Sequence, residues 1–269
     1  MAAMDRRTGK VVVSRKTKQA YSESKGSRDH ITVNACLSAS GQIIPPHIIF
    51  SQAYPSGSYA RDGPDGALYS VAPNGYMDSE LCYGFIDKLF IPSTSHIEGP
   101  KLLVMDGHGS HIDIKTVELC KANNVHLYCL PPHTTHVFQP LDVAIFYPVQ
   151  THFSKLTQHV KLATLEWENP VNVCKSNFTK PFKEAWESAL TTFLIKKGFR
   201  KCGVYPIDRD AVDKSQLAPE DQTFTPQDQP PSDLPPLQMP TAQLQLLRMS
   251  LILMKARYPT CQHHCHQPF

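Results

Sequence analysis

Two tryptophans, no apolar run of membrane-spanning length, no internal repeat and no paired cysteine spacing mark this 269-residue sequence by what it does not contain. Each absence excludes something. Without about 20 consecutive apolar residues, no helix is expected to cross a bilayer. The opening residues, MAAMDRRTGK, hold no hydrophobic segment, so no secretory leader is expected. The eight cysteines are scattered, which argues against a disulfide framework and for a reducing compartment. What remains is ordinary for a globular chain: 41% hydrophobic and 19% charged residues. The length suits one large domain or two small ones.

The net charge of +3 conceals an uneven distribution. Residues 1–30 hold eight Lys/Arg against Asp5, Glu23 and Asp29, and residues 175–201 hold seven against Glu184 and Glu187. Residues 207–240 reverse the sign, with seven acids against Arg209 and Lys214. Two basic stretches suit a polyanionic partner; a solvated surface is the plainer reading of charge alone. Arg15, Lys16, Lys18, Lys196, Lys197, Arg200 and Lys201 are the candidate phosphate contacts. For the last four, favourable placement at a helix end is the alternative.

Patterning predicts an α/β chain. GKVVVSRK reads as a short strand. HITVNACLSASGQIIPPHIIF reads as strands 31–37 and 43–50 joined by a Ser-Gly turn, with Pro45-Pro46 marking an edge or a bulge. Residues 51–75 read as a surface loop. A helix follows Asp78-Ser79, with Leu81, Phe85, Ile86 and Leu89 on one face. PKLLVMD is a buried strand, DIKTVELCKANN a helix and VHLYCLP the next strand, the order of parallel sheet building. PPHTTHVFQP reads as an irregular loop. The segment from Leu141 reads as a helix kinked by Pro148, and a further helix spans about 180–197, stopped by Gly198. Residues 211–240, Pro-rich and acidic, are expected to be a disordered linker. Residues 241–269 read as a helix-prone tail able to take protein partners. Within it, Cys261 and Cys265 lie in CQHHCH, a disordered end or a metal ligand set. Cys36, Cys82, Cys120, Cys129 and Cys174 read as core residues, and Trp167 and Trp186 as packing residues.

The chemistry centres on LLVMDGHGSHI. An aspartate closing an apolar run is a common turn residue, but strand ends in α/β sheets are also where ligands sit. Asp142, separated from Asp106 by 35 residues, opens the helix after the next strand. Two neighbouring parallel strands would bring both carboxylates to one sheet edge, where they can hold a hard divalent cation.

The words MDGHGSHI, LPPHTTHVFQPLDVAIF, FKEAWESAL and GFRKCGVYPID, with GSRDHITVNACLSASGQIIPPHIIF upstream, resemble the DDE-type endonuclease domain of pogo and Tigger transposases. Jerky-like and centromere-protein-B-like proteins are its domesticated relatives. The resemblance covers roughly residues 5 to 210, so residues 1–210 are taken as one domain. It implies an RNase H-like mixed sheet with flanking helices, two Mg²⁺ held by three carboxylates, DNA as partner, no small-molecule substrate and a nuclear location. Asp106 matches the second metal ligand and Asp142 the third. His108 and His111 match the motif around the second, where turn-shaping hydrogen bonds suit them better than Mg²⁺ does. The family's first aspartate precedes the stretch matched by DRRTGKVVV. Asp5 falls in a later loop, so the first central strand and its ligand are expected to be missing, as is the helix-turn-helix domain, leaving two sheet edges unpaired. The expected function is a transposase-derived DNA-binding protein with impaired catalysis. The alternatives are an active Mg²⁺-dependent endonuclease or transposase in a longer product, and a protein-interaction scaffold.

Overall fold

The β-branched residues Ile31, Thr32 and Val33 favour a pleated backbone, and they sit in strand β1, Gly26–Ser38. The computed structural model describes residues 26–106, 113–131, 134–163, 174–212 and 250–261. The GKVVVSRK segment, Trp167 and all but the first two residues of the expected linker lie outside them. Gly41 takes φ 94° in the turn after β1, a conformation that favours glycine, and its amide donates to the Ser38 carbonyl at 2.8 Å. Antiparallel β2, Ile43–Ser51, follows.

The prolines mark a bulge. The β1–β2 register jumps between the pairs Asn34–His47 and Cys36–Ile44, opposite Pro45-Pro46. They do not mark an edge strand, because β3, Leu68–Ala72, pairs parallel to β2 from His47 onward. Pairing starts beyond the residues that lack an N–H. β3 corrects the reading of residues 51–75 as a loop. Gly and Pro on either side obscure a five-residue strand whose Tyr69 and Val71 pack on the core.

Strand β4, Lys101–Met105, and β5, Val125–Cys129, pair in parallel along five positions across helix α3, Ile114–Ala122. Asp113 caps α3, its carboxylate accepting from the Thr116 amide at 2.8 Å. Strand β6, Ser250–Cys261, lies between β1 and β4 and gives the sheet order β3-β2-β1-β6-β4-β5. It runs antiparallel to β1 and parallel to β4. This corrects two expectations at once: residues 250–261 are strand rather than helix, and the edges of β1 and β4 that face each other are paired. Two open ladders offer a segment hydrogen bonds on both sides, which outweighs the weak helix preference of its Leu, Met and Lys residues.

Helices cover both faces. One core joins Ile31, Val33, Ala35 and Leu37 of β1 to Phe146, Val149, Phe182, Trp186, Ile195 and Phe199. These helical residues belong to α5, Phe146–Ala163, α6, Thr179–Ala189, and α7, Thr192–Lys201. The other core joins Cys36, Ile49, Leu103 and Met105 to Cys82, Phe85, Ile86 and Phe90. Those come from α1, Ser79–Phe85, capped by Asp78, and from the wide π turn Ile86–Phe90 that runs on into α2, Ile91–Ser93. The layout is a mixed α/β sheet with flanking helices, the RNase H-like arrangement.

The single helix read over 180–197 is two. Leu190 and Thr191 leave helical geometry, and the Thr191 hydroxyl accepts from the Leu194 amide at 3.2 Å to start α7. Gly198 lies inside α7 and does not stop it. Pro148, where a kink is expected, falls in the first turn of α5. A π turn, Leu141–Ile145, precedes α5, with the Phe146 amide reaching back to the Leu141 carbonyl. A proline ring clashes with the carbonyl four residues earlier, here that of Ala144, and a widened turn relieves the clash. Among the assigned cysteines, Cys36, Cys82 and Cys120 are buried, but Cys129 is exposed and Cys174 half-buried. Cys129 shares its strand face with Val125 and Leu127 of the core, and it is exposed at the end of β5, where the covering layer stops.

Candidate functional site

The parallel register sets the site. Met105 pairs with Cys129, and the Leu130 amide donates to the Met105 carbonyl at 2.8 Å, so β4 and β5 end level. Asp106 is the first residue past that edge. The chain after β5 returns through helix α4, Thr135–Phe138, a helical turn in the stretch read as irregular loop. Val137 is buried there, which anchors the turn. The Asp142 amide donates to the Gln139 carbonyl at 3.0 Å, and Asp142 becomes the second residue of the Leu141–Ile145 turn. Leu141 and Ile145 are buried beneath it.

Asp142 feels the charge of Asp106. The Asp142 pKa rises from 3.8 to about 6; desolvation by burial is the first cause, the Asp106 charge adds to it, and His136 opposes both. Asp142 is exposed by surface area, and the like charge on Asp106 also raises its pKa. Two thiols frame the pair. Burial and then Asp106 raise the Cys129 pKa. Cys202 is pushed up to about 12 by burial, with Lys201 opposing and Asp142 reinforcing. Both are neutral thiols at physiological pH and poor ligands for a hard cation.

Helix α7 packs against the turn that carries Asp142. Gly198 makes this approach close: a Cβ there would meet Ala144 at 3.3 Å, Pro140 at 3.4 Å and Ile145 at 3.5 Å. Ile195, Gly198 and Phe199 form the buried face. Lys196, Lys197 and Arg200 lie on the exposed face with Phe193, which is 76% exposed, and Lys201 is exposed beside Cys202.

The structure therefore sets Asp142 within reach of the Asp106 charge and packs α7 on the Asp142 turn, with Lys196, Lys197 and Arg200 on the other, exposed face of that helix. Arg15, Lys16, Lys18, His108, His111 and Cys265 lie outside the described residues, and Cys261 ends β6. His136, Cys129, Cys202 and Gly198 were missed as site neighbours. Their signals were faint: a histidine six residues before Asp142, and a glycine inside an amphipathic helix. Among the described residues no three His, Cys, Asp or Glu side chains cluster as a metal cage. Two carboxylates offer oxygen donors that suit one hard dication such as Mg²⁺ and fall short of caging two.

Comparison with known proteins agrees with this architecture. The family described as DDE superfamily endonuclease matches residues 28–199. A Cochliobolus lunatus protein named MFS-type transporter clz9 is 30% identical over 188 residues, 69% of this chain and 20% of that protein. Among the described residues, no helix is long and apolar enough to cross a membrane. Proteins named Pogo transposable element with KRAB domain are 24% identical in Mus musculus and 23% in Homo sapiens, each over 66% of this chain and 30% of the relative. The chain thus spans less than a third of these relatives' length. No solved structure matches.

Proposed function

We propose that this chain, which belongs to the DDE superfamily of endonucleases, is a transposase-derived DNA-binding protein of the nucleus whose catalysis is impaired. One observation carries the reading. Gly198 seats a helix with an exposed basic face directly on the turn that presents Asp142. Phosphates tracked along Lys196, Lys197 and Arg200 would run toward the carboxylate pair. Asp106 and Asp142 would hold a Mg²⁺ ion, which supplies charge stabilisation to a phosphodiester when bound. The impairment rests on the strand beside β4: Ser250–Cys261 contains neither Asp nor Glu, so β6 adds no third carboxylate. Phosphoryl transfer depends on placed charge, and two carboxylates leave it short.

Two measurements test this. In gel retardation of duplex DNA across a salt series, the chain shows a steep log–log slope. Replacing Lys196, Lys197 and Arg200 together by Gln lowers that slope by about 2.7, at about 0.9 per phosphate contact. A salt-independent or absent shift rejects DNA binding. In a plasmid-nicking assay with Mg²⁺ or Mn²⁺ the chain stays at background. Metal-dependent nicking that vanishes in both Asp106→Ala and Asp142→Ala rejects the impairment and leaves an active nuclease.

A further inference from the structure

Helix α7 sets four residues on its solvent face at the spacing i, i+3, i+4 and i+7: Phe193, Lys196, Lys197 and Arg200. At about 3.6 residues per turn they fall within an arc of about 100°, opposite the buried Ile195, Gly198 and Phe199. The helix starts at the β1–β2 turn, where a Cβ on Gly41 would meet the Thr192 side chain at 2.5 Å, and its later half lies on the Asp142 turn through Gly198. Phe193 therefore stands at the hairpin end of the stripe, and the cations follow it along the helix.

Phe193 is 76% exposed. A phenylalanine ring is a large apolar surface, and α7 turns Ile195 and Phe199 inward while leaving this ring in water. Lys196, Lys197 and Arg200 form no ion pair among the described residues, where the ion pairs are Arg61–Asp62, Lys183–Asp65 and Lys183–Glu187. The stripe is a bare ring followed by uncompensated positive charge.

These two properties select an occupant. A helix that docks in a protein groove carries apolar anchors at i, i+3, i+4 and i+7. On α7 three of those four positions are cationic. Duplex DNA suits the cations but keeps its base faces stacked on one another, so the ring adds nothing. A single strand presents a phosphate row and open base faces together, the combination held by a basic track with aromatic side chains on which bases stack. From Phe193 to Arg200 the helix rises about 10 Å. A stacked strand with one charge per about 3.4 Å of axis offers about three phosphates over that length, one for each cation.

We propose that the exposed face of α7 is a single-stranded DNA site, in which one base stacks on Phe193 and the neighbouring phosphates lie on Lys196, Lys197 and Arg200. This site rests on the DNA-binding reading above and deepens it by naming the form of DNA that the face takes.

The test uses the full chain with a labelled oligothymidylate and a labelled duplex of equal length, followed by fluorescence polarisation across a salt series. Phe193→Leu is expected to weaken single-strand binding about tenfold, the loss of one base–ring stack, and to leave duplex binding as it was. Its salt slope stays that of the parent, because no charge is removed. Lys196→Gln, Lys197→Gln and Arg200→Gln together are expected to lower the salt slope for both forms. Phe193→Trp, which keeps a stacking ring, retains the single-strand affinity, and its added fluorescence is quenched by the oligothymidylate. Phe193 is exposed, so neither exchange opens the core. Equal single-strand binding by the parent and Phe193→Leu, with duplex binding intact, overturns the stacking site and leaves the DNA-binding reading standing. An equal loss of both forms in Phe193→Leu makes the ring a general contact and overturns the site as well. Binding of neither form by the parent rejects the DNA-binding reading, and this site with it.

Discussion

Two segments of this molecule use the same local device for different ends. Ile86–Phe90 and Leu141–Ile145 are both single π turns, and both run into a proline, Pro92 and Pro148. Each begins with a buried branched residue followed by an aspartate: Ile86-Asp87 and Leu141-Asp142. The first turn buries Ile86, Leu89 and Phe90 against the sheet and leaves Asp87 in solvent. The second buries Leu141 and Ile145 and sets Asp142 against the charge of Asp106. Backbone geometry alone therefore makes no site. The difference comes from place: one turn lies over the middle of a core, the other at the edge where β4 and β5 end, with α7 clamped on it.

The largest effects should fall on both turns alike. Ile86 and Ile145 are fully buried, and truncating either to Ala should cost about 2–5 kcal/mol in urea unfolding. The two variants should part company on metal. Mn²⁺ binding to the folded protein, followed by electron paramagnetic resonance, should weaken in Ile145→Ala and persist in Ile86→Ala. Equal loss in both would erase the distinction between a structural turn and a presenting turn. Gly198→Leu comes next. A side chain forced between α7 and Ala144, Pro140 and Ile145 should cost about 1–3 kcal/mol by overpacking. It should also reduce DNA retardation, because it lifts the basic face away from Asp142.

Much of this contrast could be read from the sequence. Strands 31–37 and 43–50, the buried run before Asp106 and the capped helix between the parallel strands all follow from alternation, apolar continuity and Asp113 at an N-cap. The spacing from Asp106 to Asp142 pointed to one sheet edge because a helix, a strand and a short return fit within it. The π turns were not legible: Pro148 announces a distortion, but its form is set by how Leu141 and Ile145 pack. Strand β3 hid among turn-forming neighbours. Residues 250–261 carry a helical preference that two otherwise unpaired ladders override; the resemblance pointed to the open edges, but nothing in these residues shows that they fill them. The break at Leu190-Thr191 had a signal, a threonine able to cap, but the apolar period runs on across it.

The smallest expected effect is the sharpest test of the comparison. Asp142 has a folded-state pKa raised from 3.8 to about 6. The folded chain therefore binds more protons than the unfolded chain between those values, and stability falls as pH rises through them. The contribution is fully present below about pH 4 and gone above about pH 6. At about 1.4 kcal/mol per pKa unit, the ceiling is about 3 kcal/mol. Asp142 is an exposed residue, and solvent screening should cut this to about 1 kcal/mol. Asp142→Asn, which cannot ionise, should match the parent below pH 4 and exceed it by about 1 kcal/mol at pH 7.5. Asp87→Asn, the same exchange at the same place in the other turn, should stay within about 0.5 kcal/mol of the parent throughout. Millimolar Mn²⁺ should then close the gap at pH 7.5, stabilising the parent and leaving Asp142→Asn unmoved, because a dication relieves the repulsion between Asp142 and Asp106. Urea unfolding at pH 4, 6 and 7.5, with and without the metal, measures all three. Parallel curves for the parent and Asp142→Asn would mean that the second turn presents its aspartate to nothing, and that it differs from the first only in position.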